Sequence, residues 1–227
     1  MKIYLKKIRH YFLTVDTNGA RKHHMLAEFN GFNLTEVNPI VGIGKNRSGA
    51  TGFSKMIDLA LRNQDRLASF QPFVIYEDDC SKFRDFPEWI ELPDDADLCH
   101  IGLSKCSMDD RSDHRGLYYK NIDADTIRIY NMLSLHGVIV CSAAGALALQ
   151  KAMMEGFQKN IVWDIFTAYL QPYYNVYALK VPLVFQDGAY GGCESETKFT
   201  VVADGDHDIP ARFINSTNDS VVLCYGV

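Results

Sequence analysis

The sequence lacks several features that mark common classes of small protein. Its six cysteines form no C-x-x-C pair and are scattered along the chain, which favours reduced thiols over a disulfide framework or a zinc site. No apolar run approaches the roughly 20 residues that span a bilayer. The basic N-terminal stretch has no uninterrupted apolar core and no small-residue cleavage site, so it is not typical of a signal peptide. We therefore expect a soluble, cytoplasmic protein, in the host cytoplasm if its gene is viral.

Motifs of other enzyme classes are missing too. The segment GKNRSGAT, residues 44–51, has the glycine spacing of a phosphate-binding loop, but Ala50 stands where that loop requires Lys. There is no G-x-S-x-G elbow and no H-E-x-x-H motif. The net charge of −5 provides no general attraction to nucleic acid or anionic membranes. We expect no nucleic-acid partner and no transmembrane segment, and the oligomeric state stays open.

What the chain does contain is an alternation of apolar strand-like and helix-like segments. With 227 residues, of which 47% are hydrophobic, it fits a single domain over residues 1–227. The alternation predicts an α/β fold of the Rossmann-like kind, with a mainly parallel mixed sheet and helices on both faces. Strands are predicted at 10–15, 35–43, 73–79, 96–104, 136–142 and 176–186, a hairpin at 117–131, and helices at 20–32, 49–70 with Ser54 as N-cap, 142–157 and 161–171.

The stretch FVIYEDDC, residues 73–80, carries the clearest chemical signal. Four apolar residues lead directly into Glu77, Asp78 and Asp79. Parallel α/β sheets bind ligands at the carboxyl ends of their strands, where a divalent cation and a diphosphate would suit such acids. In an extended chain Glu77 and Asp79 point one way and Asp78 the other. The alternative is a solvated acidic turn that binds nothing.

The order of the motifs resembles the glycosyltransferases of the GT-A fold. The resemblance is closest to the lipopolysaccharide-type, family 25-like enzymes, and the short chain is similar to small chlorovirus-type glycosyltransferases. It covers roughly residues 10–195 and is carried by five segments, which in chain order are GATGFSK, QPFVIYEDDC, HGVIVCSAAGALAL, VWDIF and VPLVFQDG.

The resemblance implies transfer of a sugar from a nucleotide-sugar donor, expected to be UDP-linked, to a hydroxyl of a glycan or glycoconjugate acceptor. It implies a Mn²⁺ or Mg²⁺ cofactor that neutralises charge on the departing diphosphate. Asp79, with His207 completing the shell, would bind the metal. The donor would contact Leu13, Thr14, Asp16, Arg21, Glu77 and Asp78.

Asp164 in VWDIF is the residue that we expect to act as general base in an inverting reaction. Its neighbour Trp163 makes the surroundings apolar, which would raise the pKa of the carboxyl group, and the indole could stack on a sugar. The alternative is that Asp164 is only an acid in the first turn of a helix. His136 is similarly open, between a sugar contact and a buried, hydrogen-bonded core residue.

Two other functions remain compatible with the acidic triplet. A nucleotidyltransferase or phosphohydrolase could use the same acids, but it would need further carboxylates, which only Asp187 or the 204–208 cluster could supply. A non-catalytic α/β binding domain could hold Ca²⁺ or solvent there. Binding of UDP, with and without Mn²⁺, separates these possibilities.

Overall fold

The computed structural model describes residues 1–15, 19–65, 69–108 and 117–201. Asp16 and His207, and the acidic cluster at 204–208, lie outside the described residues. The strands are β1 (Lys2–Tyr4), β2 (Arg9–Leu13), β3 (Asn33–Val37), β4 (Phe73–Glu77), β5 (Cys80–Lys82), β6 (Trp89–Glu91), β7 (Leu98–His100), β8 (Tyr119–Asn121), β9 (Thr126–Ile129), β10 (Gly137–Val140), β11 (Val176–Leu179) and β12 (Val184–Gln186).

One of the long helices, Ala143–Lys159, has a side-chain cap at its start. The Ser142 hydroxyl accepts a hydrogen bond from the Gly145 backbone amide at 3.0 Å. The helices are α1 (Gly19–Glu28), α2 (Lys45–Arg62), α3 (Ala143–Lys159), α4 (Trp163–Leu170) and the short α5 (Glu194–Thr197), with a 3₁₀ turn at Gly188–Tyr190.

The predicted start of α2 is wrong. Ser54 does not cap the helix but lies inside it, because the chain already turns helical after Gly44, whose φ of 90° suits glycine. The glycines that lowered the helical signal have a packing reason. A Cβ at Gly49 would lie 2.0 Å from the Trp163 ring, and one at Gly52 would lie 2.1 Å from Leu13. The helix tolerates these glycines since other elements pack directly against its backbone.

Eight strands form one sheet in the order β3-β2-β4-β10-β7-β11-β9-β8. Strands β9 and β10 run opposite to the other six, as the pairings of each neighbouring strand show. The hairpin predicted at 117–131 is confirmed as β8 and β9. The strand predicted at 176–186 is instead two strands, and β12 leaves the large sheet to pair with β5. Pro182 lies between them and has no N–H to continue a ladder.

Both faces of the large sheet are covered. Alternate side chains of β4 point to opposite faces, so that Phe73 and Ile75 join one apolar cluster and Val74 and Tyr76 join the other. The first cluster includes side chains of α2, α3 and α4, and the second those of α1 and of the small β1–β6 ladder. The predicted α/β class, with a mainly parallel mixed sheet and helices on both faces, is confirmed. No helix of the described ranges combines the length and hydrophobicity needed to cross a membrane.

Candidate active site

A pocket of about 1000 Å³ opens at the carboxyl ends of β2 and β4. These strands are parallel neighbours in register, with Leu13 opposite Glu77, so the residues that follow each strand emerge side by side. A crevice at this edge is where α/β sheets bind ligands. The structure brings seven of the predicted site residues to its walls: Leu13, Thr14, Arg21, Glu77, Asp78, Asp79 and Asp164.

Asp78 is the acid of the triplet that already has partners. Its Oδ2 accepts a hydrogen bond from the Thr14 hydroxyl at 2.8 Å, and its Oδ1 forms an ion pair with Arg21 Nη1 at 2.9 Å. This buried carboxylate ties the end of β2 and the start of α1 to the end of β4. It also holds the Arg21 guanidinium at the wall of the pocket.

Glu77 and Asp79 have different surroundings. Gln186 Nε2 donates to Glu77 Oε2 at 2.9 Å, whereas the Oδ1 atom of Asp79 is buried and has no hydrogen-bond partner. Burial, reinforced by the charges of Asp79, Asp164 and Asp78, raises the pKa of Glu77 well above its ordinary value. Burial likewise raises the pKa of Asp79 to about 6, against the opposing effect of Arg21. In their ionised forms the two acids repel each other.

Asp164 is the fourth acid of the pocket. It lies in the first turn of α4, and hydrogen bonds from the Ile165 and Asp164 amides favour its ionised form, but burial dominates and raises its pKa. Its charge also raises the pKa of Glu77, so the two carboxyl groups share one electrostatic environment. Trp163 beside it packs on Phe53, with ring centroids 5.5 Å apart, and lines the same pocket.

The acids provide some, but not all, of the ligands that a divalent cation requires. The unpartnered Asp79 Oδ1 is a buried polar atom that lacks compensation within the described protein, and a cation or water is the usual explanation for such an atom. However, the described residues contain no group of three or more His, Cys, Asp or Glu side chains that could hold a metal by themselves. Phosphate oxygens and water would therefore have to complete the shell, which is how Mg²⁺ is commonly bound.

Two further residues singled out in the sequence lie away from this chemistry. His136 is 1% exposed, contacts the Ser134 hydroxyl through Nδ1, and has its pKa lowered to about 3 by burial. Of the two alternatives for His136, a sugar contact or a buried core residue, these contacts favour the buried core residue. Asp187 accepts from the Ser81 hydroxyl at 2.7 Å and caps the Ala189 amide at 2.9 Å. It does not line the pocket, so it does not add the carboxylate that a two-metal site would need.

The structure also places residues in the pocket that local sequence patterns did not assign to it. Gln186 meets Glu77 across 109 positions, a separation at which no local signal exists. The early start of α2 also brings Lys45, Asn46 and Ser48 to the pocket. Gly44 is the residue in the sequence that could have indicated this start, because glycine readily adopts the φ of 90° that the chain has there.

Comparison with known proteins yields little. No protein-family model matches the sequence, and no curated protein matches it either. Among solved structures, the chain is similar to the CTP:phosphocholine cytidylyltransferase of Streptococcus pneumoniae, with a TM-score of 0.38 and 8% identity, over 79% of this chain and 92% of that one. A likeness of this size says nothing about function.

Proposed function

We propose that this protein is a metal-dependent glycosyltransferase of the GT-A type. It would move a sugar from a nucleotide-sugar donor, UDP-linked by resemblance, to a hydroxyl of a glycan or glycoconjugate. The observation that carries the proposal is the meeting of Glu77, Asp79 and Asp164 in one pocket at the ends of parallel strands. Neither Glu77 nor Asp79 has an ion-pair partner within the described ranges of the chain.

The acid pair supports a cation site because its carboxylates are buried close together and form no ion pair with any described residue. Asp79 and Glu77 are the residues that would hold Mn²⁺ or Mg²⁺, and His207 would join them by resemblance. When bound, such a cation acts as a Lewis acid that neutralises charge on a leaving diphosphate. The protein itself contributes burial, which strengthens electrostatic interactions by excluding water.

The other wall of the pocket would receive the nucleotide. Leu13 offers an apolar surface to the pocket. By resemblance, Thr14 and Asp16 would contact the base and ribose. Asp78 would act through the residues that it holds, since its bond to Arg21 fixes a guanidinium beside the acids. A guanidinium in this position suits the diphosphate, because its planar donors match phosphate oxygens.

Asp164 is the residue proposed to take the proton of the acceptor hydroxyl. A base works best when its pKa approaches the working pH, and burial moves the pKa of Asp164 in that direction. The first turn of α4 holds the carboxyl group at the pocket, with the Trp163 ring beside it for a sugar face. This role favours inversion of the anomeric carbon, because a retaining enzyme does not need that base.

Calorimetric titration of wild-type protein with UDP, with and without MnCl₂, tests the proposal. We expect Mn²⁺ to tighten UDP binding by at least about tenfold, because Glu77 and Asp79 would hold the cation and its positive charge would attract the diphosphate. A panel of UDP-sugars, followed by release of free UDP, then identifies the donor.

Two outcomes would contradict the proposal. UDP affinity that is unchanged by Mn²⁺ or Mg²⁺ would remove the cation from donor binding. Release of pyrophosphate from a nucleoside triphosphate, without turnover of any nucleotide-sugar, would instead identify a nucleotidyltransferase.

A further inference from the structure

Gln186 is the residue of the pocket whose backbone is held most firmly from several sides. It ends β12, where it is paired with Cys80 of β5, the residue that follows the acidic triplet. Its amide donates to the Thr197 hydroxyl at 3.0 Å, and the next amide, that of Asp187, donates to the Asp79 carbonyl at 2.8 Å. A Cβ at Gly192 would lie 2.7 Å from the Cβ of Gln186. The backbone position from which the Gln186 side chain extends is therefore well fixed.

The side chain of Gln186 reaches both acids that lack ion pairs. Its Nε2 donates to Glu77 Oε2 at 2.9 Å. The same side chain also lies close enough to Asp79 to oppose the rise in pKa that burial causes there. An amide nitrogen has two N–H groups, so one Gln can serve two carboxylates. The contact joins residues that are 109 positions apart, and it connects the small β5–β12 ladder to the end of β4.

The type of donor matters as much as its position. Arg21 provides a positive charge to Asp78, but the donor facing Glu77 is a neutral amide. A neutral donor orients carboxylate oxygens without cancelling their charge, whereas a lysine or arginine at the same place would neutralise them and repel a cation. The hydrogen bond from Gln186 therefore orients the carboxylate of Glu77 without neutralising the negative charge of the pocket.

We propose that Gln186 is a positioning residue, whose amide holds the carboxylates of Glu77 and Asp79 in the orientation that binds a cation together with the diphosphate of a nucleotide-sugar. This inference rests on the proposed function, because it assigns Gln186 a part in the same site. It does not make Gln186 a ligand of the cation or a group that reacts. Its effect is expected on metal-dependent binding rather than on stability.

Two substitutions of Gln186 test this by calorimetry with UDP and MnCl₂ and by thermal unfolding without metal. Gln186→Met keeps the length but loses the donor, and we expect Mn²⁺-dependent UDP affinity to fall about 10- to 100-fold, while affinity without metal stays unchanged. Gln186→Lys places an ammonium against the acids. We expect it to abolish the Mn²⁺ effect and to raise the metal-free Tm above that of wild type, because the ammonium offsets the acid repulsion.

Gln150→Met is the matched control. Gln150 Nε2 also donates to a carboxylate, that of Asp58, but it does so between α3 and α2 and away from the pocket. The control removes the same kind of hydrogen bond, and we expect UDP binding with Mn²⁺ to remain as in wild type. It therefore measures what loss of a glutamine-to-carboxylate bond does to stability alone.

The results separate this inference from the proposed function. If wild-type protein shows no Mn²⁺ effect on UDP binding, the proposed function and the inference fall together. If wild type responds and Gln186→Met responds equally, the inference alone is overturned. If Gln186→Met loses the Mn²⁺ effect and its metal-free Tm falls further below wild type than that of Gln150→Met, the role of Gln186 is structural and the inference is overturned. Loss of the Mn²⁺ effect at a Tm no lower than that of Gln150→Met supports positioning.

Discussion

Asp78 and its neighbours Glu77 and Asp79 show two uses of the same side-chain chemistry within three residues. Asp78 is 8% exposed, yet it has both a hydroxyl donor in Thr14 and a guanidinium in Arg21. Asp79 is 7% exposed and has one oxygen with no partner. The exposure of the two aspartates is nearly equal. Burial therefore does not explain why Asp78 has an ion-pair partner while Asp79 has an oxygen without a hydrogen-bond partner.

The acids differ in the charge of the side chains that lie next to them. Asp78 faces α1, which supplies a cation, and its ion pair joins structural elements. Glu77 and Asp79 face β12 and α4, which supply a neutral amide and another acid. Burying two carboxylates without a counter-charge costs stability. A protein retains such an arrangement where a ligand will provide the missing charge, and this is the physical basis of the proposed site.

The largest effect should come from the acid that we propose as the general base. We expect Asp164→Asn to lower donor turnover about 1000-fold, because the amide cannot accept a proton, while Mn²⁺-dependent UDP binding stays within about threefold of wild type. Initial rates of UDP release and calorimetry measure the two properties. Asp58→Asn, which alters a remote acid between α2 and α3, is the control. Turnover that survives in Asp164→Asn would remove Asp164 as the base.

A paired substitution within the triplet tests the comparison directly. We expect Asp79→Asn to weaken Mn²⁺-dependent UDP binding about 100-fold and to raise the metal-free Tm at pH 7.5, because a buried charge is removed. Asp78→Asn should instead lower the free energy of unfolding by about 1–3 kcal/mol, because the ion pair between Asp78 and Arg21 is lost, and should weaken UDP binding by only about tenfold. Calorimetry and thermal unfolding on the same samples suffice. Equal changes in both variants would abolish the distinction drawn here.

A smaller effect concerns pH. The pKa of Asp79 is about 6 in the folded protein against 3.8 ordinarily, so the folded state binds more protons between these values and loses stability as pH rises through them. The buried His10, His100 and His136 have lowered pKa values and act in the opposite direction, so wild type alone is not informative. The informative quantity is the metal-free Tm of Asp79→Asn minus that of wild type.

We expect this Tm difference to be near zero at pH 4 and to reach about 4–8 °C at pH 7.5, on the order of 2 kcal/mol. Subtraction cancels the contribution of the three histidines, which both proteins share. Differential scanning calorimetry at half-unit pH steps measures it. A difference that stays constant from pH 4 to 7.5 would mean that Asp79 keeps its ordinary pKa when folded.

Much of the fold could be predicted because it depends on local patterns. The apolar run of β4, the hairpin of β8 and β9, and the Ala-rich α3 follow from side-chain alternation, turn residues and helix-forming residues. The errors fall where tertiary packing overrides propensity. The predicted start of α2 lies too late in the sequence because Gly49 and Gly52 weaken the helical signal. In the fold these glycines pack against Trp163 and Leu13. The division of 176–186 into β11 and β12 depends on β5, a distant partner.

For the candidate site, the sequence alone determined that an apolar strand ends in three acids, and that such a strand end lies at the edge of a sheet. This follows from hydrophobic burial and the twofold alternation of a strand, which are local properties. Only the tertiary structure decided that Asp78 meets Arg21, 57 positions away, and that Glu77 meets Gln186, 109 positions away. Neither periodicity nor composition encodes contacts of that range, because they form only when separate elements pack together. The charge that each acid meets is therefore a property of the fold.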